Sequence, residues 1–429
     1  MNIPSVNTLS APSRDEIVEL YRLHLSSGRA LLAEFTGGHL ETTSAGARVY
    51  AQDTEYLDCG GYGVFILGHR HPRVVEAVIA QIHRNPMATR LLLEPTAALA
   101  ARALVDIAPQ GLRRVHFVNS GAEAVEAAIK FARTAGKTRL ISTVGGYHGK
   151  TMGALSLTAR KVYQDPFRPL LPEVTHIPYG DTVALEKSLA VEGKRACVVV
   201  EPVQGEGGVI VPPAGYLRDV ARLCRDHDAL FVLDEVQTGL GRLGTWWGAD
   251  REGVTPDVLL VGKNLSGGVI PVAAVLATEE IYEPFSSDPL LHTSTFAASP
   301  VAMAAAATTI DVLREEQLVA RADRLGRQIT TTLRDLLALH APHLGAEIRG
   351  VGLLIGIELP SPHVAGDLVL ELQSQHVLVN HSLNANAVLR LTPPAVMTDA
   401  DLDWLFTSFT AAVRTVGARH PHITVERTS

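Results

Sequence analysis

The chain has 429 residues, of which 46% are apolar and 19% charged, and its formal net charge is −7. This length and composition are typical of a globular protein with one large and one smaller domain. The negative charge argues against nonspecific binding to nucleic-acid phosphates, and no apolar run approaches the ~20 residues that span a bilayer.

The three cysteines are Cys59, Cys197 and Cys224, which are far apart and form no C-x-x-C pair. They predict neither a disulfide framework nor a zinc site, so we expect no metal and a reducing, cytoplasmic location. Residues 1–16 contain no apolar run of the kind found in signal peptides, so we expect no signal peptide.

The first third of the chain alternates helical and β patterns irregularly. Amphipathic spacing predicts a helix over 13–30, and residues 40–67 resemble a small β region with turns. Helices are predicted over 74–82 and from Pro95 to Ala108, where Pro109 would end the second one.

From residue 115 onward, short apolar runs alternate with glycine-containing turns and helical patterns. Strands are predicted over 115–118, 139–143, 196–200, 230–233, 258–261 and 272–277. This alternation favours a mostly parallel sheet covered by helices on both faces. A long helical region is predicted over 299–339, followed by strands over 352–359, 377–379 and 388–391 and by a helix from Thr398.

These patterns predict an α/β fold with a large domain built on the mostly parallel sheet and a small α+β domain formed by the two chain ends. We place the N-terminal segment of the small domain at 1–75, the large domain at 76–315 and the C-terminal part of the small domain at 316–429.

The segment PDVLLVGKNLSGG places Lys263 at the top of a buried strand. Partial desolvation lowers the pKa of an amine, which suits a nucleophile that forms a Schiff base. A lysine that extends from a strand end to solvent is the alternative at this point.

The segment FVLDEV places Asp234 and Glu235 at the end of another apolar strand, where parallel sheets bind ligands. One interpretation is a magnesium-binding carboxylate of a P-loop nucleotide hydrolase. The phosphate loop requires a glycine at position 144, which is Val144, so the spacing argues against this alternative.

The other interpretation is a pyridine cofactor. A carboxylate such as Asp234 keeps a pyridine nitrogen protonated, so the ring can act as an electron sink. The turn Ser120-Gly121-Ala122 opens a predicted helix and offers backbone N–H groups for a phosphate. Together with Lys263 and an aromatic residue for stacking, Tyr147, these are the residue types that pyridoxal 5'-phosphate (PLP) requires.

Six segments jointly resemble the class III aminotransferases of PLP fold type I, especially putrescine and ornithine-type ω-aminotransferases, over residues 40–415. They are VHFVNSGAEAVEAAIKFAR, GGYHGKTMGALS, VVVEPVQGEGGV, LFVLDEVQTGLGR, VLLVGKNLSGGVIPVAAV and HTSTFAASP. The resemblance implies a homodimeric transferase that uses PLP and acts on an amine donor and a keto acid, without nucleic-acid or membrane partners.

The resemblance also implies residue roles. Lys263 would form the Schiff base and shuttle the proton, and Asp234 would pair with the pyridine nitrogen. Tyr147, at a usual phenylalanine position, would stack on the ring. The remaining cofactor contacts would come from Ser120, Gly121, Ala122, His148, Glu201 and Gln237, and from Thr295 of the partner subunit.

For the substrates, the resemblance implies that Arg390 binds the keto-acid carboxylate and that Glu206 masks Arg390 while an amine occupies the site. The expected reaction moves a primary, terminal amino group from a diamine or ω-amino acid to a keto acid such as 2-oxoglutarate. Ala297-Ala298 replaces the usual Gly-Gly of the family. Two alternatives with the same cofactor stay open: an aminotransferase for a larger biosynthetic intermediate or a peptide-bound carbonyl, and an aminomutase, racemase or decarboxylase.

Overall fold

The computed structural model of the protein describes residues 12–35 and 37–422. Most of the segment in which we expect no signal peptide, residues 1–11, lies outside this described part, as do the last seven residues of the predicted C-terminal unit. Within the described part, no helix combines the length and the hydrophobicity that crossing a membrane requires.

A seven-stranded sheet forms the centre of the fold. Its strands are β4 (Arg114–Val118), β5 (Arg139–Thr143), β6 (Val174–Ile177), β7 (Ala196–Val200), β8 (Leu230–Asp234), β9 (Val258–Val261) and β10 (Ala273–Ala277), in the order β4-β10-β9-β8-β7-β5-β6. The five strands from β9 to β6 are parallel, and β10 is antiparallel to both of its neighbours. The predicted mostly parallel sheet is confirmed.

Both faces of this sheet are buried, as is usual for parallel strands. Every residue of β7, β8 and β9 is buried. Successive side chains enter different apolar cores: Leu259 and Val261 belong to the larger core, and Leu260 belongs to a second one on the opposite face. This alternation follows from the two-residue period of a strand, and it leaves the strand ends as the places where polar side chains can meet.

Helices connect and cover the strands. They are α3 (Pro72–Arg84), α4 (Pro95–Val105), α5 (Gly121–Thr134), α6 (Met152–Leu157), α7 (Lys161–Gln164), α8 (Thr182–Leu189), α9 (Tyr216–Asp226), α10 (Glu279–Ser287), α11 (Pro300–Glu315) and α12 (Leu318–His340). The buried face of α5 is rich in alanine, including Ala124, Ala127 and Ala128. Small side chains allow a helix to approach the sheet closely, so the N-terminus of α5 lies beside the ends of β8 and β9.

Two four-stranded sheets complete the architecture. The first contains β1 (Glu41–Ala45), β2 (Arg48–Ala51), β3 (Thr54–Asp58) and β13 (Val377–Leu378), and β13 pairs in parallel with β3. The second contains β11 (Glu347–Val351), β12 (Leu354–Glu358), β15 (Ala385–Leu391) and β14 (Asn380–Ser382). The other helices are α1 (Arg14–His24), α2 (Ser27–Phe35), α13 (Pro362–Ser374) and α14 (Asp399–Arg419).

Two predicted helices are interrupted in the structure, and three strands, β6, β11 and β14, were not predicted. The region 13–30 contains α1 and the start of α2, and the region 299–339 is divided between α11 and α12 at Glu316 and Gln317. Gln317 has a φ of +52°, which lies outside the helical range and separates the two helices. The missed strands have the sequences VTHI, EIRGV and NHS, and none of them contains the continuous apolar run that marks a buried strand such as β9.

The three predicted domain boundaries remain a proposal. Their main support is the first four-stranded sheet, in which β13 from the C-terminal region adds a strand to the three N-terminal strands. The two chain ends are therefore joined by backbone hydrogen bonds, as expected for one small unit built from both.

Candidate active site

The predicted cofactor residues converge at the carboxyl edge of the parallel strands, where open α/β sheets bind ligands. A cavity of about 230 Å³ lies at this edge. It is lined by Gly121, Ala122, Tyr147, His148, Gly149, Lys150, Glu201, Asp234, Val236, Gln237 and Lys263. Eight of the ten residues assigned to the cofactor from sequence line this one cavity; Ser120 and Thr295 do not.

Lys263 begins the turn that follows β9. Its φ of +40° is left-handed, a backbone conformation that is uncommon for a residue with a side chain and is typical of functional sites. Burial lowers the pKa of Lys263 to about 8; the positive charge of Arg390 acts in the same direction, while Glu206, Asp234 and Glu201 oppose it. The amine is therefore much closer to neutrality than an exposed lysine.

Asp234, the last residue of β8, is held by two hydrogen bonds. Its Oδ2 accepts from Nδ1 of His148 at 2.7 Å, and its Oδ1 accepts from the backbone N–H of Val236 at 3.0 Å. Burial alone would lower the pKa of His148, but the hydrogen bond and charge of Asp234, with the charge of Glu201, outweigh burial and raise it. The contact with Asp234 therefore favours the protonated form of His148.

Glu201 is a second buried carboxylate, at the end of β7. It accepts hydrogen bonds from the backbone N–H groups of Tyr147 at 3.1 Å and Gly205 at 3.4 Å. Burial raises its pKa to about 7, and the negative charge of Asp234 adds to the increase despite the opposing charge of His148. Near neutral pH this group can therefore be neutral or charged.

Glu206 and Arg390 form an ion pair whose side chains are only 5% and 1% exposed. Glu206 lies in the loop after β7, and Arg390 lies on β15. Burial would raise the pKa of Glu206, but the charge of Arg390 more than compensates and the net pKa is lowered. The Oε2 atom of Glu206 also accepts from the backbone N–H of Leu383 at 2.9 Å. Glu206 therefore has an anchor other than Arg390.

The N-terminus of α5 lies at the cavity, where its backbone N–H groups can bind an anion, but Ser120 does not line the cavity. The side chain of Ser120 caps the helix by accepting from the N–H of Glu123 at 3.2 Å, while the Glu123 carboxylate accepts from the N–H of Asn119 at 3.0 Å. Ser120 is thus occupied as a cap, and Gly121 and Ala122 line the cavity. A Cβ on Gly121 would lie 2.7 Å from the side chain of Val236, so only glycine allows this close approach.

Gln237 and Thr295 differ sharply in position. Gln237 lines the cavity, and its buried Nε2 atom has no protein hydrogen-bond partner, so it is free to donate to a ligand. Thr295 is exposed and lines a separate cavity of about 470 Å³. The guanidinium group of Arg90 fixes its loop by donating to the carbonyls of Thr295 at 3.0 Å and Ala297 at 2.7 Å.

Sequence reasoning did not identify Arg242, which is fully buried near the cavity. Its guanidinium group donates to the carbonyls of Pro393 at 2.7 Å and Leu353 at 3.2 Å, and it contacts Oδ1 of Asn264 at 3.4 Å. Burial, reinforced by Arg390, lowers its pKa to about 9. Arg242 connects the residue after Lys263 to the segment that carries Arg390. Its position after the DEVQTG run was a signal that could have been used.

The family model of the class III aminotransferases matches residues 39–413. The chain therefore belongs to the class III aminotransferases, enzymes that transfer amino groups and use PLP as cofactor.

Solved structures agree with this assignment. Ornithine aminotransferase from Toxoplasma gondii ME49 is 32% identical, with a TM-score of 0.88 over 96% of this chain and 98% of that chain. A thermostable (S)-enantioselective ω-transaminase from Thermomicrobium roseum is 28% identical, with a TM-score of 0.87 over 95% of this chain and 100% of the other. Another T. gondii ornithine aminotransferase structure is described as having partial occupancy of PLP at the active site. The resemblance to ornithine and ω-type aminotransferases is confirmed.

Proposed function

We propose that this aminotransferase moves a terminal amino group from a diamine or an ω-amino acid to a keto acid such as 2-oxoglutarate. The observation that carries the proposal is the buried Glu206–Arg390 ion pair. A site for a terminal amine must not present an uncompensated arginine, whereas a site for a dicarboxylic keto acid needs one. An ion pair that can open satisfies both requirements in one cavity.

The residues at the cavity fit PLP. Gly121 and Ala122 would hold the phosphate at the N-terminus of α5, where backbone N–H groups and the helix dipole favour an anion. Asp234, hydrogen-bonded to His148, would hold the pyridine nitrogen, and the unpartnered Nε2 of Gln237 would donate to the phenolic oxygen. Tyr147 would cover the ring. When bound, PLP supplies an electron sink for the carbon that carries the amino group.

Lys263 would hold the cofactor and then move the proton at the substrate carbon. A general base works best when its pKa is near the operating pH, and burial brings the pKa of Lys263 to about 8. Arg242 would support this geometry by keeping the backbone after Lys263 in contact with the segment that carries Arg390. His148 and the backbone N–H of Val236 would hold the Asp234 carboxylate in a fixed orientation, with acceptor capacity left for the pyridine nitrogen.

Glu206 and Arg390 would distinguish the two substrates. With an amine in the site, Glu206 neutralises Arg390. With a dicarboxylic keto acid in the site, the ligand carboxylate takes the guanidinium group in a bidentate contact, and Glu206 keeps its hydrogen bond to Leu383. The anchor at Leu383 lowers the cost of opening the pair, because Glu206 does not become an unpartnered buried charge.

The proposal includes a homodimer in which Thr295 contacts the cofactor of the partner subunit. Thr295 is exposed in the single chain, outside the cavity that holds Lys263. Nearby, Leu91, Leu92, Leu93 and Phe296 expose 90%, 78%, 103% and 64% of their surfaces. An apolar patch of this kind favours a protein interface. A cytoplasmic location is also part of the proposal, supported by three free, buried cysteines.

The absorption spectrum of the purified enzyme tests this function. We expect the cofactor band near ~410 nm to fall and a band near ~330 nm to rise when putrescine or ornithine is added without a keto acid, because the amino group passes to the cofactor. 2-Oxoglutarate should then restore the first band. A cofactor band that ignores ω-amines but responds to a larger amine or an α-amino acid would contradict the substrate assignment.

A further inference from the structure

Three metal-ligating side chains converge on the surface of the C-terminal region, away from the cavity around Lys263. They are His363 and Asp367 of α13 and His420, which follows the last turn of α14. One ligand atom from each residue lies within 4.8 Å of the other two. The cysteine spacing predicted no zinc site, and this group contains no cysteine. We propose that these three residues bind a divalent zinc ion.

The local structure places the three groups before any ion arrives. His363 and Asp367 are four residues apart on one helix, so their side chains lie on the same face one turn apart. α13 and α14 are packed through buried apolar residues, including Leu368 and Leu372 of α13 and Val416 of α14. The third ligand is therefore brought to the first two by the rigid contact between two helices.

Two of the ligands are already oriented toward each other. Nε2 of His420 and Oδ2 of Asp367 are 2.7 Å apart, and their side chains are only 16% and 20% exposed. The ring of His363 meets the ring of His420 edge-on, with centroids 5.4 Å apart. His363 is exposed, so its side chain can rotate toward the pair and an ion can enter from solvent.

The three donor groups favour zinc over calcium and magnesium. Two imidazoles and one carboxylate suit zinc, which is tetrahedral, takes nitrogen and oxygen ligands at ~2.1 Å and accepts water as a fourth ligand. Such geometry separates the ligand atoms by roughly 3.4 Å, so atoms up to 4.8 Å apart need to approach by at most about 1.4 Å, and Nε2 of His420 and Oδ2 of Asp367, which are 2.7 Å apart, need to separate by about 0.7 Å. Calcium and magnesium prefer oxygen ligands and should not compete.

The surrounding charges permit a cation. Asp367 supplies one negative charge, and the adjacent Arg419 is already neutralised by Glu371 at 2.5 Å. Binding would replace the hydrogen bond between His420 and Asp367 by two metal bonds, with the imidazole proton moving to the other ring nitrogen. The ion would then join the end of α14 to the first turns of α13.

Calorimetric titration of the PLP-loaded enzyme with zinc chloride tests the site. We expect one zinc ion per chain and a loss of about 100-fold or more in affinity in the double variant His363→Ala/His420→Ala, since each of the two ligands lost costs about a tenfold factor or more. The matched control is His83→Ala, an exposed histidine of α3 outside the cluster. It should bind zinc like the wild type.

Asp367→Asn provides a variant that keeps the acceptor for His420 and the fold, and it should also weaken zinc binding. Zinc should raise the melting temperature of the wild type and of His83→Ala but not of Asp367→Asn. Equal zinc affinity in the wild type and the cluster variants, or no binding by the wild type, would overturn the proposal. The assay measures no transamination, so it is independent of the proposed function.

Discussion

The site contains two buried ion pairs, which differ in their positions in the fold and in their hydrogen bonds. Asp234 ends strand β8 of the central sheet, His148 lies in the loop after β5, and each oxygen of Asp234 has a protein donor. Glu206 and Arg390 come from a loop of the central sheet and from a strand of another sheet, and Glu206 has a separate backbone anchor. Under the proposed function, the first pair fixes the orientation of Asp234, whereas in the second pair a ligand carboxylate would replace Glu206 at Arg390. Burial alone therefore does not distinguish a permanent charge from a switchable one.

We expect the largest effect at Lys263, whose pKa is influenced by charged residues of both pairs. Lys263→Ala should fold but lose turnover by about 10³-fold or more, because the proton-transfer group and the cofactor linkage are both removed. Steady-state rates and the visible spectrum measure this loss. Lys187→Ala, an exposed lysine on α8, is the control. Normal turnover with an unchanged spectrum in Lys263→Ala would refute its role.

The buried carboxyl group of Glu201 should make the free energy of unfolding depend on pH. The pKa of Glu201 is raised from 4.5 to about 7 in the folded protein, so the folded state retains a proton between these values. Below pH 4.5, Glu201 is protonated in both the folded and the unfolded state and does not affect the free energy of unfolding. Above about pH 7, ionised Glu201 lowers the free energy of unfolding by about 3 kcal/mol.

Glu201→Gln keeps an oxygen acceptor for the N–H group of Tyr147, loses the longer contact with Gly205 and cannot ionise. In the cofactor-free protein, it should therefore increase the free energy of unfolding more at about pH 8 than at about pH 5, by about 2–3 kcal/mol. Chemical denaturation of both proteins at the two pH values measures this difference. An equal effect at both values would show that Glu201 is not held with a raised pKa.

The exchangeable pair should separate the two substrates. Arg390→Ala removes the carboxylate-binding group, and a lost charge-assisted contact is worth roughly 1.5–3 kcal/mol. We expect the reaction with 2-oxoglutarate to slow by about 10–100-fold and the reaction with the amine to change much less. Single-turnover spectra of the two half-reactions measure both rates. Equal losses of rate in the two half-reactions would contradict a role of Arg390 in distinguishing the substrates.

We expect the smallest effect on stability in the loop near Thr295, where one residue, Ala298, has an unusual backbone conformation. Ala298 has a φ of +56°, a conformation that glycine adopts without strain. Ala298→Gly should stabilise the protein by about 0.5–1 kcal/mol after the greater freedom of the unfolded chain is counted. Ala297 lacks a positive φ, so Ala297→Gly is the matched control and should be destabilising. Thermal melts of the two variants decide the sign.

The fixed pair also shows what could be predicted from the sequence. Lys263 and Asp234 lie in one cavity, as expected from two residues at the ends of short apolar strands, because strand ends of a parallel sheet meet at one edge. The hydrogen bond between Asp234 and His148 joins residues 86 positions apart, so no local pattern reveals it. The same limit explains Arg242, whose partners lie as far away as Pro393.

Local backbone geometry set the other limits. The separation of α11 from α12 depends on a left-handed Gln317, with no glycine or proline to indicate it. Ser120 and Glu123 cap α5, with the Glu123 carboxylate bonded to the backbone N–H of Asn119, and Ser120 does not line the cavity. The resemblance carried the assignment of Glu206 and Arg390; their spacing in the sequence contains no sign that they meet.

The central claim is that Glu206 masks Arg390 and can be displaced by a substrate carboxylate. The most direct measurement is the ratio of single-turnover rates with 2-oxoglutarate and with the amine donor in Glu206→Gln. The neutral amide of this variant would leave the charge of Arg390 uncompensated, so the ratio should rise, with a slower amine reaction and an equal or faster keto-acid reaction. A ratio equal to that of the wild type, or a lower one, would contradict the account and make the pair a structural feature of the site.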